Sequence, residues 1–337
     1  FESGAMPYAQ LHYPFENKEA FEKNFPADFI AEGLDQTRGW FYTLHVLATI
    51  LFNKPAFQNV IVNGIILAAD GEKLSKRKKN YPDPEKLFAE HGVDTTRLLL
   101  YTSNASLGGD VRFSEKHVEE LVKKFTLTLM NTYSFFITYA NIDGWQPSEA
   151  KGANKAEHAP KNKLDRWILS ELHSLIETVT KAMDNYDFPS ATRPFLTFAD
   201  NLSNWYIRRS RRRFWKSEND GDKNEAYQTL YTVLVETARL LAPFMPFTSD
   251  FIYKNLTREE SVHISDWPEA QKKLIDRTLN EEMELVRTIV TLGHSIRSGK
   301  KLKVRQPLAR AQIALPKKFD PAMIKAQQEV IAEELNV

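Results

Sequence analysis

Residues 71–80 read GEKLSKRKKN, which places Lys73, Lys76, Arg77, Lys78 and Lys79 in one ten-residue window. The chemistry open to such a cluster is electrostatic. In phosphoryl or nucleotidyl transfer most of the catalysis is positioning plus charge stabilisation, so ammonium groups that close on a triphosphate can stabilise a leaving pyrophosphate. A P-loop is excluded, because no G-x-x-x-x-G-K-[ST] occurs. The plainer alternative is a solvated basic patch, which is what most charge runs are. A second run, NWYIRRSRRRFWK (204–216), interleaves five arginines and a lysine with four aromatics and no acid, a pattern suited to phosphate contact and stacking on unpaired bases. Against that, Phe195, Phe198, Leu202 and Trp205 form an apolar stripe whose continuation falls on Arg209 and Arg212. Some arginines are therefore expected to pair inside the protein, with Glu236 or Asp250 as candidate acids. A third run, RSGKKLKVRQPLAR (297–310), has six cations and no acid and reads as solvent-facing.

The elements around the first cluster carry the pattern of one βαβ unit. ADFIAEG (27–33) reads as a short strand; Trp40, Phe41, Leu44, Leu47, Ala48 and Leu51 recur at helical spacing; NVIVNGIILA (59–68) is β-branched and nearly all apolar, as a buried parallel strand is. A right-handed crossover makes the strands parallel neighbours or near neighbours. Their C-terminal ends, Glu32 to Asp35 and Ala69 to Lys79, then open on one sheet edge, where open α/β sheets bind ligands. Next, YPDPEKLFAEHG (81–92) offers Asp83 as N-cap, Pro84 at the first helical position and Gly92 as stop. Asp94 is expected to cap the helix containing RLLLYT.

A long helical pattern runs from Ser114 to Tyr139, and polar QPSEAKGANKAEHAPK (146–161) marks a boundary or exposed loop. Four amphipathic helices follow over 162–185, 190–217, 222–242 and 271–298, the signature of a bundle. SVHISDW (261–267) and ARAQIALP (309–316) suggest strand-like pieces of a small mixed tail. The fold class expected is α/β plus all-α. Its divisions are a Rossmann-type half-domain over 1–110, a connecting helix and linker over 111–160, a helical bundle over 161–260 and a junction region over 261–337.

Whole-chain composition sets limits on these readings. A chain of 337 residues with 42% hydrophobic content can bury a substantial core. A net charge of +1 leaves no whole-molecule field, so electrostatic function must come from local clusters. The absence of cysteine rules out disulfides and thiolate metal sites and suits a reducing compartment. Apolar runs such as LHVLATILF (44–52) are too short to span a bilayer, and no signal-peptide pattern opens the chain. A cytoplasmic location without membrane association is expected, with no metal centre.

KLSKR (73–77) is similar to the lysine-serine-lysine signature of class I aminoacyl-tRNA synthetases. EGLDQTRGWFY (32–42) and VNGIILAADGEKLSKRKKNYPDP (62–84) resemble the isoleucyl-tRNA synthetases, eukaryotic-type, rather than the valyl and leucyl enzymes, which lack the DQTRGWF wording. LDRWILSEL, NLSNWYIRRSRRRFW, LAPFMPFTSDFIY and KVRQPL resemble successive segments of the same family's anticodon-binding domain and beyond, in the correct order over nearly the whole chain. The resemblance implies an ATP-dependent ligase, with Mg2+ in the complete enzyme, that activates isoleucine and transfers it to tRNA(Ile), acting as a monomer.

The site residues implied by this resemblance are specific. Lys76 would contact the ATP phosphates and the transition state, with Lys73 and Ser75 shaping a mobile loop. Gly33 and Asp35 would meet the ribose, Glu32 and Gln36 would line the adenylate site, and Asn63, Gly64 and Ile65 would lie near adenine. Trp40 would wall the isoleucine side chain, although its place on the helix's apolar stripe, taken without the resemblance, favours a core position. Asp35 also reads as an N-cap. Arg208, Arg209, Arg211, Arg212 and Arg213 would contact tRNA, as could the 297–310 run. Leu74 replaces the usual methionine of the signature, a mild change in volume. None of the eight histidines forms H-x-G-H, so the histidine-bearing half and the editing domain are expected to be absent and the chain inactive alone. The alternatives are a non-catalytic helical tRNA-binding module or a fragment of a valyl- or leucyl-type synthetase.

Overall fold

The computed structural model describes residues 1–75, 77, 78, 80–147, 160–216, 220–315 and 320–337. Short helices α1 (Met6–Ala9) and α2 (Lys18–Asn24) lead into strand β1 (Ala27–Gly33), a 3-10 turn (Leu34–Arg38), helix α3 (Trp40–Phe52) and strand β2 (Phe57–Asn63). β1 and β2 pair in parallel, with Ala27 opposite Phe57 and Gly33 opposite Asn63, as the βαβ reading requires. Phe41, Leu44 and Ala48 of α3 bury against Ile30 and Ala56 in a small apolar cluster, while Leu51 stays exposed.

The second strand is shorter than its sequence suggests. β2 ends at Asn63, and a separate two-residue strand, β3 (Ile66–Leu67), pairs in parallel with β4 (Val111–Arg112). The break falls at Gly64, whose N–H donates to Ala105 O at 2.8 Å. A Cβ there would lie 2.0 Å from Gly109 O, so only glycine admits the 104–109 segment at this point.

After β3 come α4 (Pro84–His91), capped as read by the Asp83 carboxylate on Glu85 N at 3.0 Å, and α5 (Val93–Thr102). The expected capping role of Asp94 is corrected. The helix begins at Val93, and buried Asp94 instead accepts from Thr248 N at 2.6 Å and Phe247 N at 3.4 Å. It caps the first turn of a distant helix, where a carboxylate complements the free N–H groups and the positive dipole end.

The helical part comprises α6 (Glu115–Leu121), a π-turn (Val122–Thr126), α7 (Leu127–Asp143), α8 (Lys163–Asp184), α9 (Phe188–Asp200), a π-stretch (Asn201–Ile207), α10 (Arg208–Trp215), α11 (Gly221–Leu241), α12 (Pro246–Thr257) and α13 (Arg277–Gly299), with α14 (Pro321–Lys325) and α15 (Gln328–Leu335) closing the chain. One apolar core runs through them from Leu98 to Leu335, with Trp167, Phe195, Tyr206, Phe214 and Tyr227 almost fully buried. The linker reading over 146–161 lies mostly outside the described residues. Helix α12 was not distinguished in the sequence, where Pro243 and Pro246 interrupt the periodicity.

Two strand expectations are corrected. Residues 262–264 form a 3-10 turn because the Asp250 carboxylate takes the Ser261 hydroxyl at 2.7 Å and Val262 N at 3.0 Å, local bonds that compete with a strand ladder. Residues 309–315 pair with no strand among the described residues, and Pro316 lies outside them.

Asp94 has a counterpart one turn along α5. Arg97 donates to Pro243 O at 3.0 Å and Phe244 O at 3.3 Å, the free carbonyls beyond α11. Asp94→Ala is expected to lower unfolding stability by ~1–3 kcal/mol, with Asp94→Asn losing less; urea denaturation measures both, and unchanged midpoints would remove the clamp. His173, buried in α8, accepts from Gln271 N at 3.2 Å, and burial pushes its imidazole from the ordinary 6.5 down to about 4. The neutral ring belongs to the fold, so this contribution is complete above pH 6.5 and is lost as pH falls toward 4. We expect about 3 kcal/mol of acid-side destabilisation from this group, absent in His173→Asn, when urea unfolding is compared across that window.

Candidate functional site

The C-terminal ends of β1 and β2 bring Glu32 beside Val62 and Gly33 beside Asn63, so the segments 32–36 and 63–65 share one edge. The turn after β1 is organised by Gln36. Its Nε2 donates to Asp35 Oδ2 at 2.8 Å, and its Oε1 accepts from Trp40 N at 3.0 Å, satisfying the start of α3. Asp35 therefore caps nothing; its exposed carboxylate is held beside Gly33, where a Cβ would meet Oδ1 at 2.7 Å. Glu32 and Asn63 are exposed on the same edge. Ile65 is also exposed, with its N–H donating to Asp110 Oδ1 at 3.1 Å.

Trp40 is half-buried against the β1–α3–β2 cluster, and its Nε1 donates to Ser3 O at 3.0 Å. The indole is thus both a flank of the core and a wall anchored by the 3-10 turn Glu2–Ala5. Gly4 allows that turn to approach, because a Cβ would come within 2.8 Å of Thr43.

The basic loop is tethered at its root. Leu67 bridges to Lys73, Ala68 N donates to Glu72 O at 2.8 Å, and Gly71 turns the chain at φ +88°. Ser75 and Lys73 are then held by Asn80, whose Oδ1 accepts from Ser75 N at 2.9 Å while Nδ2 donates to Lys73 O at 3.1 Å. Asn80 was missed by sequence reasoning, which weighed charge and not side-chain amides. The Lys73 side chain is exposed. Lys78 pairs with Glu72, which holds its ammonium above the usual lysine range. Lys76 and Lys79 lie outside the described residues.

The arginines of α10 divide by surroundings. Arg213 forms a two-pronged pair with fully buried Asp165, both contacts at 2.7 Å, and reaches Asp222 at 2.8 Å. Burial opposes its charge, and Asp165 more than offsets this, so the guanidinium is held even more firmly protonated than usual. Tyr206 donates to the same carboxylate at 2.7 Å; burial and then the Asp165 charge push its phenol pKa well up. Arg209 bonds Glu334 and Glu333 at 2.8 and 2.9 Å, and Arg208 bonds Glu334 at 2.6 Å. Arg211 and Arg212 are exposed and, among the described residues, have no acidic partner. Internal pairing thus occurs as read, but on other acids. Glu236 binds Arg239, and Asp250 is occupied by Ser261 and Val262.

Among the described residues one group has ligand spacing for a cation: Glu90, His91 and Glu115, whose ligand atoms lie within 4.8 Å of one another at the junction of α4 and α6. No described helix is long and apolar enough to cross a membrane.

Comparison with known proteins follows the same two-part division. Residues 1–114 match the family model described as tRNA synthetases class I (I, L, M and V), and residues 165–313 match the anticodon-binding domain of tRNA ligase. The isoleucine–tRNA ligase of Protochlamydia amoebophila is 51% identical over 342 residues, and that of Treponema denticola 48% over 347, each covering all of this chain. The chain spans about a third of their length, 32% in both cases. Among solved structures, the Agrobacterium radiobacter K84 LeuRS–tRNA–LeuAMS complex aligns over 82% of this chain and 33% of its own, with a TM-score of 0.65 at 17% identity. The Mycobacterium tuberculosis methionyl-tRNA synthetase with methionyl-adenylate aligns over 72% and 47%, with a TM-score of 0.57 at 23% identity. These two likenesses concern the fold.

The amide clamp of Asn80 makes a local prediction. Asn80→Ala removes two bonds worth ~1 kcal/mol each, so hydrogen exchange at the Ser75 amide should rise about tenfold or more while α8 and α11 keep their protection. Unchanged exchange at Ser75 would show that the loop is held by other contacts.

Proposed function

The chain belongs to the class I tRNA synthetases, and from that membership we propose that it supplies the ATP-facing loop and the anticodon-facing helices of an isoleucine–tRNA ligase. The reaction joins isoleucine to ATP as isoleucyl-adenylate and passes it to tRNA(Ile), with Mg2+ entering on the ATP phosphates as part of the substrate. The observation that carries the reading is the shared edge at which parallel β1 and β2 end, with segments 32–36 and 63–65 side by side and the KLSKR loop rooted on β3 next to them.

In this reading the isoleucine carboxylate attacks the α-phosphorus, a P–O bond forms, and pyrophosphate leaves with its electron pair. Lys76 neutralises the departing charge, Lys73 and Ser75 shape its loop, and Asp35 accepts from ribose hydroxyls beside Gly33. Glu32 and Gln36 line the adenylate, and Asn63, Gly64 and Ile65 flank the base. Trp40 bounds the amino-acid side chain. On the RNA side, exposed Arg211 and Arg212 are the primary phosphate contacts, with Arg208 beside them; Arg209 and Arg213 act through the fold, since their guanidinium groups are bonded to Glu333, Glu334 and Asp165. The domain division at 110, 160 and 260, a monomeric state and a cytoplasmic location belong to the same proposal.

The exposed apolar faces of the small sheet and its helix, at Phe29, Ile50, Leu51 and Val60, suit coverage by further polypeptide of the same fold. Because the sequence holds no H-x-G-H, we expect isoleucine-dependent ATP–pyrophosphate exchange only when a polypeptide carrying that motif is supplied. Lys76→Ala should then lower it by about 100-fold or more. RNA binding with no exchange under any supplementation would favour the non-catalytic module, and exchange indifferent to Lys76 would overturn the assignment of the loop.

A further inference from the structure

Helix α9 lies in the stretch that matches the anticodon-binding domain, and residues 102–110 lie in the stretch that matches the synthetase family. Arg193 crosses from one to the other. Its Nε donates to Thr102 O at 3.0 Å and its Nη2 to Asn104 Oδ1 at 2.7 Å. Arg193 is exposed and has no acidic partner among the described residues, so the polar contacts of its fork are given to this segment. A guanidinium suits the task because its planar fork takes a backbone carbonyl and a side-chain oxygen at once, where an ammonium offers a single charged point.

The segment that Arg193 grips is braced from within. Asn104 O accepts from Leu107 N and Gly109 N, both at 3.0 Å, and Ser103 Oγ accepts from Ala105 N at 3.2 Å. Gly108 then turns the chain at φ +77°. These bonds fix the shape of the segment but not its place. Two others carry its position to the end of β2: Ala105 O accepts from Gly64 N at 2.8 Å, and Asp110 Oδ1 accepts from Ile65 N at 3.1 Å. Gly109 O packs so closely on Gly64 that a Cβ there would lie 2.0 Å away, and the segment cannot shift without moving Gly64.

We propose, on the synthetase reading above, that Arg193 is a positioning residue for nucleotide binding. Acting through Asn104 and Ala105, it places the Gly64–Ile65 backbone at the base of ATP without touching substrate itself. Its bond to Asn104 is short and charge-assisted, the kind whose loss costs most. The amino-acid pocket is held by other means, since Trp40 is anchored on Ser3 O at 3.0 Å. Loss of Arg193 therefore acts on the nucleotide and spares isoleucine, a division that general destabilisation of the fold does not produce.

The test compares the parent chain with Arg193→Ala, Arg193→Lys and Asn104→Ala. Amide hydrogen exchange is measured first, then isoleucine-dependent ATP–pyrophosphate exchange with the polypeptide carrying H-x-G-H supplied. In Arg193→Ala, exchange at the Gly64 and Ile65 amides should rise about tenfold while α8 and α11 keep their protection. KM for ATP should rise about tenfold, with kcat and KM for isoleucine nearly unchanged, because what is lost is placement of the bound nucleotide. Asn104→Ala should give the same split, the double variant should add little to either single change, and Arg193→Lys should recover part of the loss. Unchanged exchange at Gly64 and Ile65 in Arg193→Ala would overturn the proposal and leave the synthetase reading standing. Faster exchange there with neither KM moved, or with kcat reduced and both KM values rising together, would make Arg193 a structural contact only and overturn it equally. If the supplemented parent shows no ATP–pyrophosphate exchange while the two amides still respond to Arg193→Ala, the synthetase reading fails and the positioning role falls with it.

Discussion

Asp94 and Arg97 sit one turn apart on α5 and meet the two sets of backbone groups that a helix-to-helix turn leaves unpaired. The acid takes N–H groups at the start of α12, and the guanidinium takes carbonyls just past α11. Both contacts are charge-assisted and aligned with the helix dipoles, the arrangement in which such bonds are strongest. The bundle returns a contact at the far end of the same helix, where Arg193 donates to Thr102 O and Asn104 Oδ1 at 3.0 and 2.7 Å. From there the chain runs directly to Ala105 O, which holds Gly64 at the end of β2, and to Asp110, which holds Ile65. The edge at which β1 and β2 end is therefore positioned by the helical bundle as much as by its own small sheet.

Charge inside the bundle obeys a stricter rule. Burying a guanidinium costs more than a single hydrogen bond returns, so Arg213 is found with both prongs on one carboxylate and that carboxylate shared with Tyr206. Such a pair is weak evidence for net stability, since an apolar replacement of equal shape can serve as well; removing one partner strands the other. What the pair fixes is rotation. With Arg213 turned inward on α10 and Arg209 tied to α15, Arg211 and Arg212 are left on the outer face, and Trp215 stays largely exposed at the end of the helix.

Much of this was legible in residue pattern, and the failures share one cause. The β-branched run 59–68 announced a parallel strand, and periodicity placed α3, α8 and α11 to within a residue or two. The break at Gly64 was not readable, because it is imposed by Gly109, forty-five positions later. Asp94 carried a sound local capping signal, but it was outbid by N–H groups more than 150 residues away. The apolar stripe before Arg209 correctly implied that arginines turn inward, whereas the identity of their acids, Asp165, Glu333 and Glu334, depends on which helices pack together. Asn80 gave no signal, since a clamp of two hydrogen bonds has no periodicity. Local rules identified elements and the kinds of residue at the site; partners were set by tertiary contact.

The helical run α9, π-stretch and α10 has one part of the candidate site near each end. Arg193 near its start holds the segment that anchors β2, and Arg211 and Arg212 lie about 27 Å further along at 1.5 Å per residue. A continuous run of buried Phe195, Phe198, Leu202 and Tyr206 makes this a strut and not a tether. Its one departure from α geometry, Asn201–Ile207, is pinned by Tyr206 on Asp165 and by Asn201 on Glu171 at 2.9 Å, and so has little freedom to act as a hinge. The strut sets distance. Whatever occupies the arginine face is held at a fixed separation from the strand ends.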